Sequence, residues 1–181
     1  MFGASYYNQT TKRFVAIFGT LFNDISIGRS DNNGDEIQRM KVPLNYGPMQ
    51  KFLARIGQDP NLDAPAMTLP RMSFEIIGYN YDPQRKVNRM QQIKCGDGSG
   101  SVSTMYTPVP YNIDVSLYIL TKTQEDGLQI LEQILPTFTP EYTLTVNVVP
   151  DMNVQVDVPI VLNSVSVSDE YDGDFQTRRF V

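Results

Sequence analysis

The stretch VSTMYTPVPYNIDVSLYILTKTQEDGLQILEQILP, residues 102–136, decides the fold. In its middle, Ile113, Val115, Leu117 and Ile119 share one face of an extended chain, and Asn112, Asp114, Ser116 and Tyr118 share the other. That two-residue period is the signature of a half-buried strand. Val102 to Thr121 is therefore predicted as the central long strand. Pro108 and Pro110 confine its start to an edge or a bulge, because proline donates nothing to a ladder. At Thr123 the period changes: Thr123 offers a cap, Gln124, Glu125 and Asp126 suit the positive end of a helix, and Leu128, Ile130, Leu131, Ile134 and Leu135 follow at helical spacing until Pro136.

The same two periods recur on either side. Toward the N-terminus, Phe14, Val15, Ile17, Phe18, Leu21, Phe22 and Ile25 predict an amphipathic helix from Thr10 that ends near Asn23. Ile25 and Ile27, then Ile37, Met40 and Val42, flank an Asn33-Gly34 step and predict a hairpin. Met49 to Ile56 reads as a short helix ending at Gly57, and Gln58 to Pro70 as a loop. Leu69 to Tyr81 alternates as a strand. Arg85 to Ile93 is expected to return along it, and Gly96 to Ser101 to form a turn or hairpin tip. Toward the C-terminus, Tyr142–Val149 and Val154–Val167 alternate as two strands, followed by an acidic turn from Ser168 to Asp174. Strands and helices in this order predict an α+β fold, a mostly antiparallel mixed sheet packed by two or three helices. At 181 residues the chain fits one domain, 1–181, and it shows no internal repeat.

Composition argues against most catalysis. There is no histidine and no tryptophan, and Cys95 is the lone cysteine, so the commonest proton shuttle and metal ligand is missing. A binding or structural role starts ahead. Charged residues make up 19% of the chain, below the roughly 25% usual in soluble proteins, which suggests that part of the surface meets other protein. A net charge of −5 offers no global attraction to nucleic acid or anionic membrane. No apolar run approaches the length of a membrane span and the first residues lack a secretory pattern, so the protein is expected to be made in the cytoplasm with no membrane partner.

Candidate chemistry yields to plainer readings. Asp169, Glu170, Asp172 and Asp174 could suit calcium, but the EF-hand spacing is absent, and a solvated turn around Gly173 is the expectation. The glycine–serine loop lacks the strand, helix and Lys-Ser/Thr pair of a phosphate cradle. Cys95 has no histidine to serve as its base. No catalytic residue, metal site or cofactor is expected. What remains is aromatic: ten tyrosines and nine phenylalanines, many in loop contexts, which as a set suit an oligomer interface.

An ordered series of short segments adds a family. Met1-Phe2-Gly3, Tyr6-Tyr7-Asn8, Arg13-Phe14, FGTLFNDI (18–25), KVPLNYGP (41–48), KFLAR (51–55), LPRMSFE (69–75), YTPVPYNID (106–114), EDG (125–127), EQILPTFTPE (132–141), VLNSVS (161–166) and DGDFQTRR (172–179) span nearly the whole chain. Together they resemble the tail sheath stabiliser and completion proteins of contractile-tailed bacteriophages. The resemblance implies a purely architectural protein with no enzymatic activity, forming a ring, a homohexamer in the family, at the tail–neck junction of the virion. Its implied partners are other copies of itself, the tail terminator protein, the last ring of tail sheath protein and the neck proteins of the head, with DNA only as cargo through the lumen. The resemblance also implies a further strand-like segment beyond the Arg-Arg pair, where this sequence has Phe180 and Val181.

The matched motifs nominate as protein-interface candidates Tyr46, Gly47 and Pro48; Tyr106, Pro108, Pro110 and Tyr111; Pro136, Phe138 and Pro140; and Asp172, Asp174, Arg178 and Arg179. Unpaired strand edges are expected to accept a segment of a sheath subunit through main-chain hydrogen bonds. The rival readings are a tail terminator or other neck or connector ring protein, and, from another class, a small hydrolase using Asp or Glu.

Overall fold

The computed structural model of the chain describes residues 7–31, 36–57, 68–88, 90–96, 100–139, 141–149, 152–170 and 179–180. Helix α1 (Thr10–Leu21) leads through a short turn into the antiparallel pair β1 (Ser26–Ser30) and β2 (Glu36–Lys41). Strand β3 (Leu44–Tyr46) follows and stops where Gly47-Pro48 turns the chain into α2 (Met49–Gly57). Gly47 is needed there: its φ is 155°, and a Cβ would stand 3.3 Å from the Phe52 ring. Next come β4 (Arg71–Tyr81), β5 (Gln92–Gly96), β6 (Val102–Tyr106) and β7 (Tyr111–Leu120). Helix α3 (Gln124–Ile134) runs into a 3-10 turn at Leu135–Thr137, and β8 (Glu141–Val149), β9 (Val154–Val161), β10 (Asp169–Glu170) and β11 (Arg179–Phe180) complete the order.

The fold is α+β, and pairing is antiparallel apart from β3 on β4. Strands β3, β4 and β7 form a three-stranded sheet in which Leu44–Tyr46 lie beside Met72–Phe74. On its other side β4 pairs with β7 from Arg71 opposite Leu120 to Tyr81 opposite Tyr111, with a register shift between Ile76 and Gly78. That irregularity sends Ile77 to solvent. The pairs β1–β2, β5–β6, β8–β9 and β10–β11 are separate two-stranded units.

The core lies where the inner end of the β3–β4–β7 sheet meets α1, α3 and the β1–β2 pair. Phe22, Ile25, Ile27, Val42, Met72, Ile130 and Ile134 are buried together, with Phe18, Leu21, Met40, Leu44, Leu117, Ile119 and Phe138 packed around them. Thr123 caps α3 by accepting from the Asp126 N–H, and buried Asp126 also faces Arg29 at 3.6 Å. Two glutamines one helical turn apart on α3 cover the outer edge of β1. Gln129 Oε1 accepts from the Gly28 N–H at 3.1 Å, and Gln133 Nε2 donates to the Ser26 carbonyl at 2.8 Å. An edge that would otherwise be an open template is thereby closed by side chains.

Several expectations need correction. The central strand predicted over Val102–Thr121 is two strands, β6 and β7, divided at Thr107–Pro110 and paired with different partners. Arg85–Ile93 does not return along β4: the chain turns at Pro83–Arg85, its described residues make no strand pairing before β5, and β5 pairs with β6. The last long strand ends at Val161, not Val167. On α3, Ile130 and Ile134 face the core, but Leu128 and Leu135 are exposed. The Asn33-Gly34 turn and most of the Gln58–Pro70 loop lie outside the described residues, although β1 and β2 pair as a hairpin requires.

Candidate functional site

The features of the surface that invite a partner are aromatic and lie at the outer end of the β4–β7 ribbon and beyond it. Tyr81 and Tyr111, opposite each other in the last pair of the ribbon, stack edge to face with centroids 5.7 Å apart, and both are exposed. Nearer the core, Tyr46 projects from β3 with its ring edge-on to Phe74 at 5.3 Å. It lines an open hollow of about 410 Å³ with Tyr7, Thr11, Lys12, Val15, Ile76 and Tyr79. Past Phe74, β4 has no strand beside it on the β3 side among the described residues, so this hollow borders an open sheet edge. Such an edge can take an extended segment.

The ribbon ends in a polar clamp. Arg85 Nε donates to Asp82 Oδ2 at 2.6 Å, its Nη2 donates to Asn112 Oδ1, and the Gln84 N–H donates to Asp82 Oδ1 at 2.9 Å. The Arg85 guanidinium, with help from the Gln84 N–H, holds the Asp82 carboxyl below its ordinary value of 3.8. A depressed carboxylate stabilises the clamp above the unfolded pKa, and that contribution is lost as pH falls through the folded value. In an NMR titration Asp82 is expected to protonate below 3.8, and Arg85→Ala is expected to move the midpoint upward. A midpoint that Arg85→Ala leaves unchanged would show that the clamp does not persist in solution.

The nominated residues fare unevenly. Tyr46, Tyr106 and Tyr111 are exposed; Pro48, Pro108 and Pro136 also reach solvent, while Gly47 is buried. Pro110 is half-buried, and its carbonyl accepts from the Asp82 N–H at 3.2 Å. Phe138 turns inward and lies against Phe22 with centroids 6.2 Å apart, so its place is at the core margin. Pro140, Asp172, Asp174 and Arg178 lie outside the described residues, and Arg179 pairs with Glu170 in the β10–β11 ladder. The structure thus brings Tyr111 to Tyr81 and Pro110 to Asp82. Met90, also exposed, was not nominated; exposed Val109 lies within the Tyr106–Tyr111 stretch, and exposed Tyr79 belongs to the tyrosines that as a set suit an interface.

Among the described residues no group of three or more Cys, Asp or Glu side chains is placed to hold a metal, and no helix is long and apolar enough to cross a membrane. Exposed aromatics at the end of the β4–β7 ribbon and an open sheet edge are features suited to contact with other proteins. Sequence comparison makes this specific: the chain belongs to the T4-like virus Myoviridae tail sheath stabiliser family, whose profile matches residues 5–181. It is similar to the tail completion protein gp15 of Enterobacteria phage T4, with 30% identity over 187 residues, covering 99% of this chain and 68% of that protein. Membership makes the chain a structural component of a phage tail whose role involves other tail and neck proteins.

Proposed function

We propose that this protein assembles as a ring, six subunits in the reading the family suggests, at the head-proximal end of a contractile tail. There it sits on the tail terminator ring, holds the last ring of sheath subunits in the extended state and offers the surface to which the neck proteins of the head dock. It acts without turnover. The carrying observation is the family match over residues 5–181. The exposed Tyr46, Tyr106 and Tyr111 suit the contacts, since tyrosine brings large area with a polar tip. In this reading Tyr46–Pro48, Tyr106–Tyr111, Pro136–Pro140 and Asp172–Arg179 meet neighbouring subunits or tail partners. A net charge of −5 suits a passage that DNA crosses without adhering.

The test is assembly with and without the protein. Tails made in its absence should lose or contract their sheath and fail to join heads, and adding the purified chain should restore both, with density at the neck in electron micrographs. Sheaths of normal length that join heads without it would overturn the reading. Binding to tube ends but never to sheath would favour a terminator instead.

A further inference from the structure

The charge of this chain is segregated along it. Between Thr123 and Thr177 stand ten acidic residues and no Lys or Arg, whereas Pro83–Pro110 carries Arg85, Lys86, Arg89 and Lys94 against Asp97 alone. Of these, Glu141, Asp151 and Asp157 fall within the β8–β9 hairpin, and Lys94 lies on β5 with Arg85, Lys86 and Arg89 in the stretch leading to it; the close contacts of each hairpin are made mainly within itself. The basic one, β5–β6, has no buried residue. A two-stranded ribbon of five-residue strands with no core behind it is marginal in water. Yet this arm exposes Met90 at 82%, Tyr106 at 67% and Val109 at 63%. Apolar area of that kind on a hairpin that supports no core calls for cover from outside the chain.

The acidic hairpin is built differently. Val146 is buried, and Arg13 Nη1 from α1 donates to the Val148 carbonyl at 2.6 Å, so β8–β9 is fastened to the body. Its Glu141 and Asp157 are exposed, and the chain leaves β9 through Leu162–Ser168, where Leu162, Val165 and Val167 are exposed in turn. Lys86, Lys94, Glu141 and Asp157 form no ion pair among the described residues. Asp157 Oδ1 accepts from the Thr145 hydroxyl at 2.6 Å across the hairpin, so each hairpin carries charge of one sign that has no ion-pair partner among the described residues, beside exposed apolar side chains.

We propose that the basic β5–β6 arm of one subunit seats on the acidic β8–β9 hairpin and the Leu162–Val167 stretch of the next copy. The two patches belong to different parts of the same chain, so the contact is head to tail, and repetition can close it into a ring. Opposite charge steers the approach and rejects arm-on-arm pairing, while Met90, Tyr106 and Val109 supply buried area. The inference rests on the ring-forming role proposed above and names the surfaces that would make the ring.

The test uses the purified full-length chain in sedimentation experiments over a range of salt. The parent should self-associate, more tightly at low salt. K86E/K94E and, separately, E141K/D157K should each weaken association by roughly tenfold or more, and the four changes together should restore it, with circular dichroism unchanged throughout. A photo-crosslinking residue at position 106 should form chain-to-chain adducts mapping to residues 141–167. A parent that stays monomeric at low salt, reversals without effect, or crosslinks elsewhere would overturn the contact. Reversals that spare self-association but abolish binding to tails would assign the arm to another tail protein, overturning the contact and leaving the proposed role standing. A parent that associates as predicted but never binds sheathed tails would do the opposite.

Discussion

Phe22→Ala is expected to cost about 3–5 kcal/mol of folding stability, a large share of the roughly 5–15 kcal/mol that holds a domain together. Phe22 follows the last residue of α1, and its ring lies 5.0 Å from Phe18 and 6.2 Å from Phe138 by centroids. It is only 4% exposed and belongs to the cluster containing Ile130 and Ile134 of α3. The side chain thus ties the first helix to the third and to the turn after it. Removing the ring leaves a cavity between elements that are each fastened elsewhere: α1 to β8 through Arg13, and α3 to β1 through Gln129 and Gln133. Little collapse can relieve the cavity, which argues for the upper half of the range. Urea unfolding should show a lower midpoint with an unchanged slope. A loss under about 1 kcal/mol would mean that the cluster is not the principal core. Phe138→Ala should cost less, because that ring is half-buried.

The reasons why some of this was legible in the sequence are local. The helix at Thr10–Leu21 and the β1–β2 pair declare themselves because apolar spacing and an Asn-Gly step act within a few residues. The division of residues 102–120 into two strands does not, because the alternating apolar residues of β6 and β7 read as one extended stretch and periodicity carries no partner information. The structural cause is Pro110, which accepts from Asp82 and has no N–H to give in return. Strand β3 escaped notice because three residues are too few for a period. On α3, Ile130 and Leu128 are equally apolar, and only the position of β1 and its neighbours decides which is covered. The same holds for the surface candidates. Tyr106 and Phe138 both stand in proline-rich stretches, but Phe22 draws one of them inward. Family membership was readable because it rests on many ordered short matches; the surfaces that meet partners were not, because they depend on which hairpins remain uncovered once the core has formed.

Replacing residues 83–109 by a single Asn-Gly step is expected to leave the fold intact and abolish self-association. Asp82 and Pro110 already face each other through the 3.2 Å bond from the Asp82 N–H, immediately beyond the pair Tyr81 and Tyr111. Asn-Gly suits the two-residue turn that closes such a ribbon, with Pro110→Thr made at the same time so that residue 110 supplies the N–H that turn requires. None of the described residues between 83 and 109 is buried, so the excision removes no core side chain among them. It does lose the hydrogen bonds of Arg85 to Asp82 and Asn112, both at the solvent-exposed end of the ribbon. Against that, shortening the connection by nearly four halvings lowers the closure entropy by about 2 kcal/mol. The net change in stability should therefore lie between zero and a modest gain, read from the same urea titration as Phe22→Ala. Association read by sedimentation should nevertheless fall to that of a monomer, because the basic arm and its Met90, Tyr106 and Val109 are gone. A shortened chain that is stable and still self-associates would show that subunits meet through another surface. A shortened chain that unfolds would show that the arm supports the body, and the core at the inner end of the sheet would no longer suffice to explain the fold.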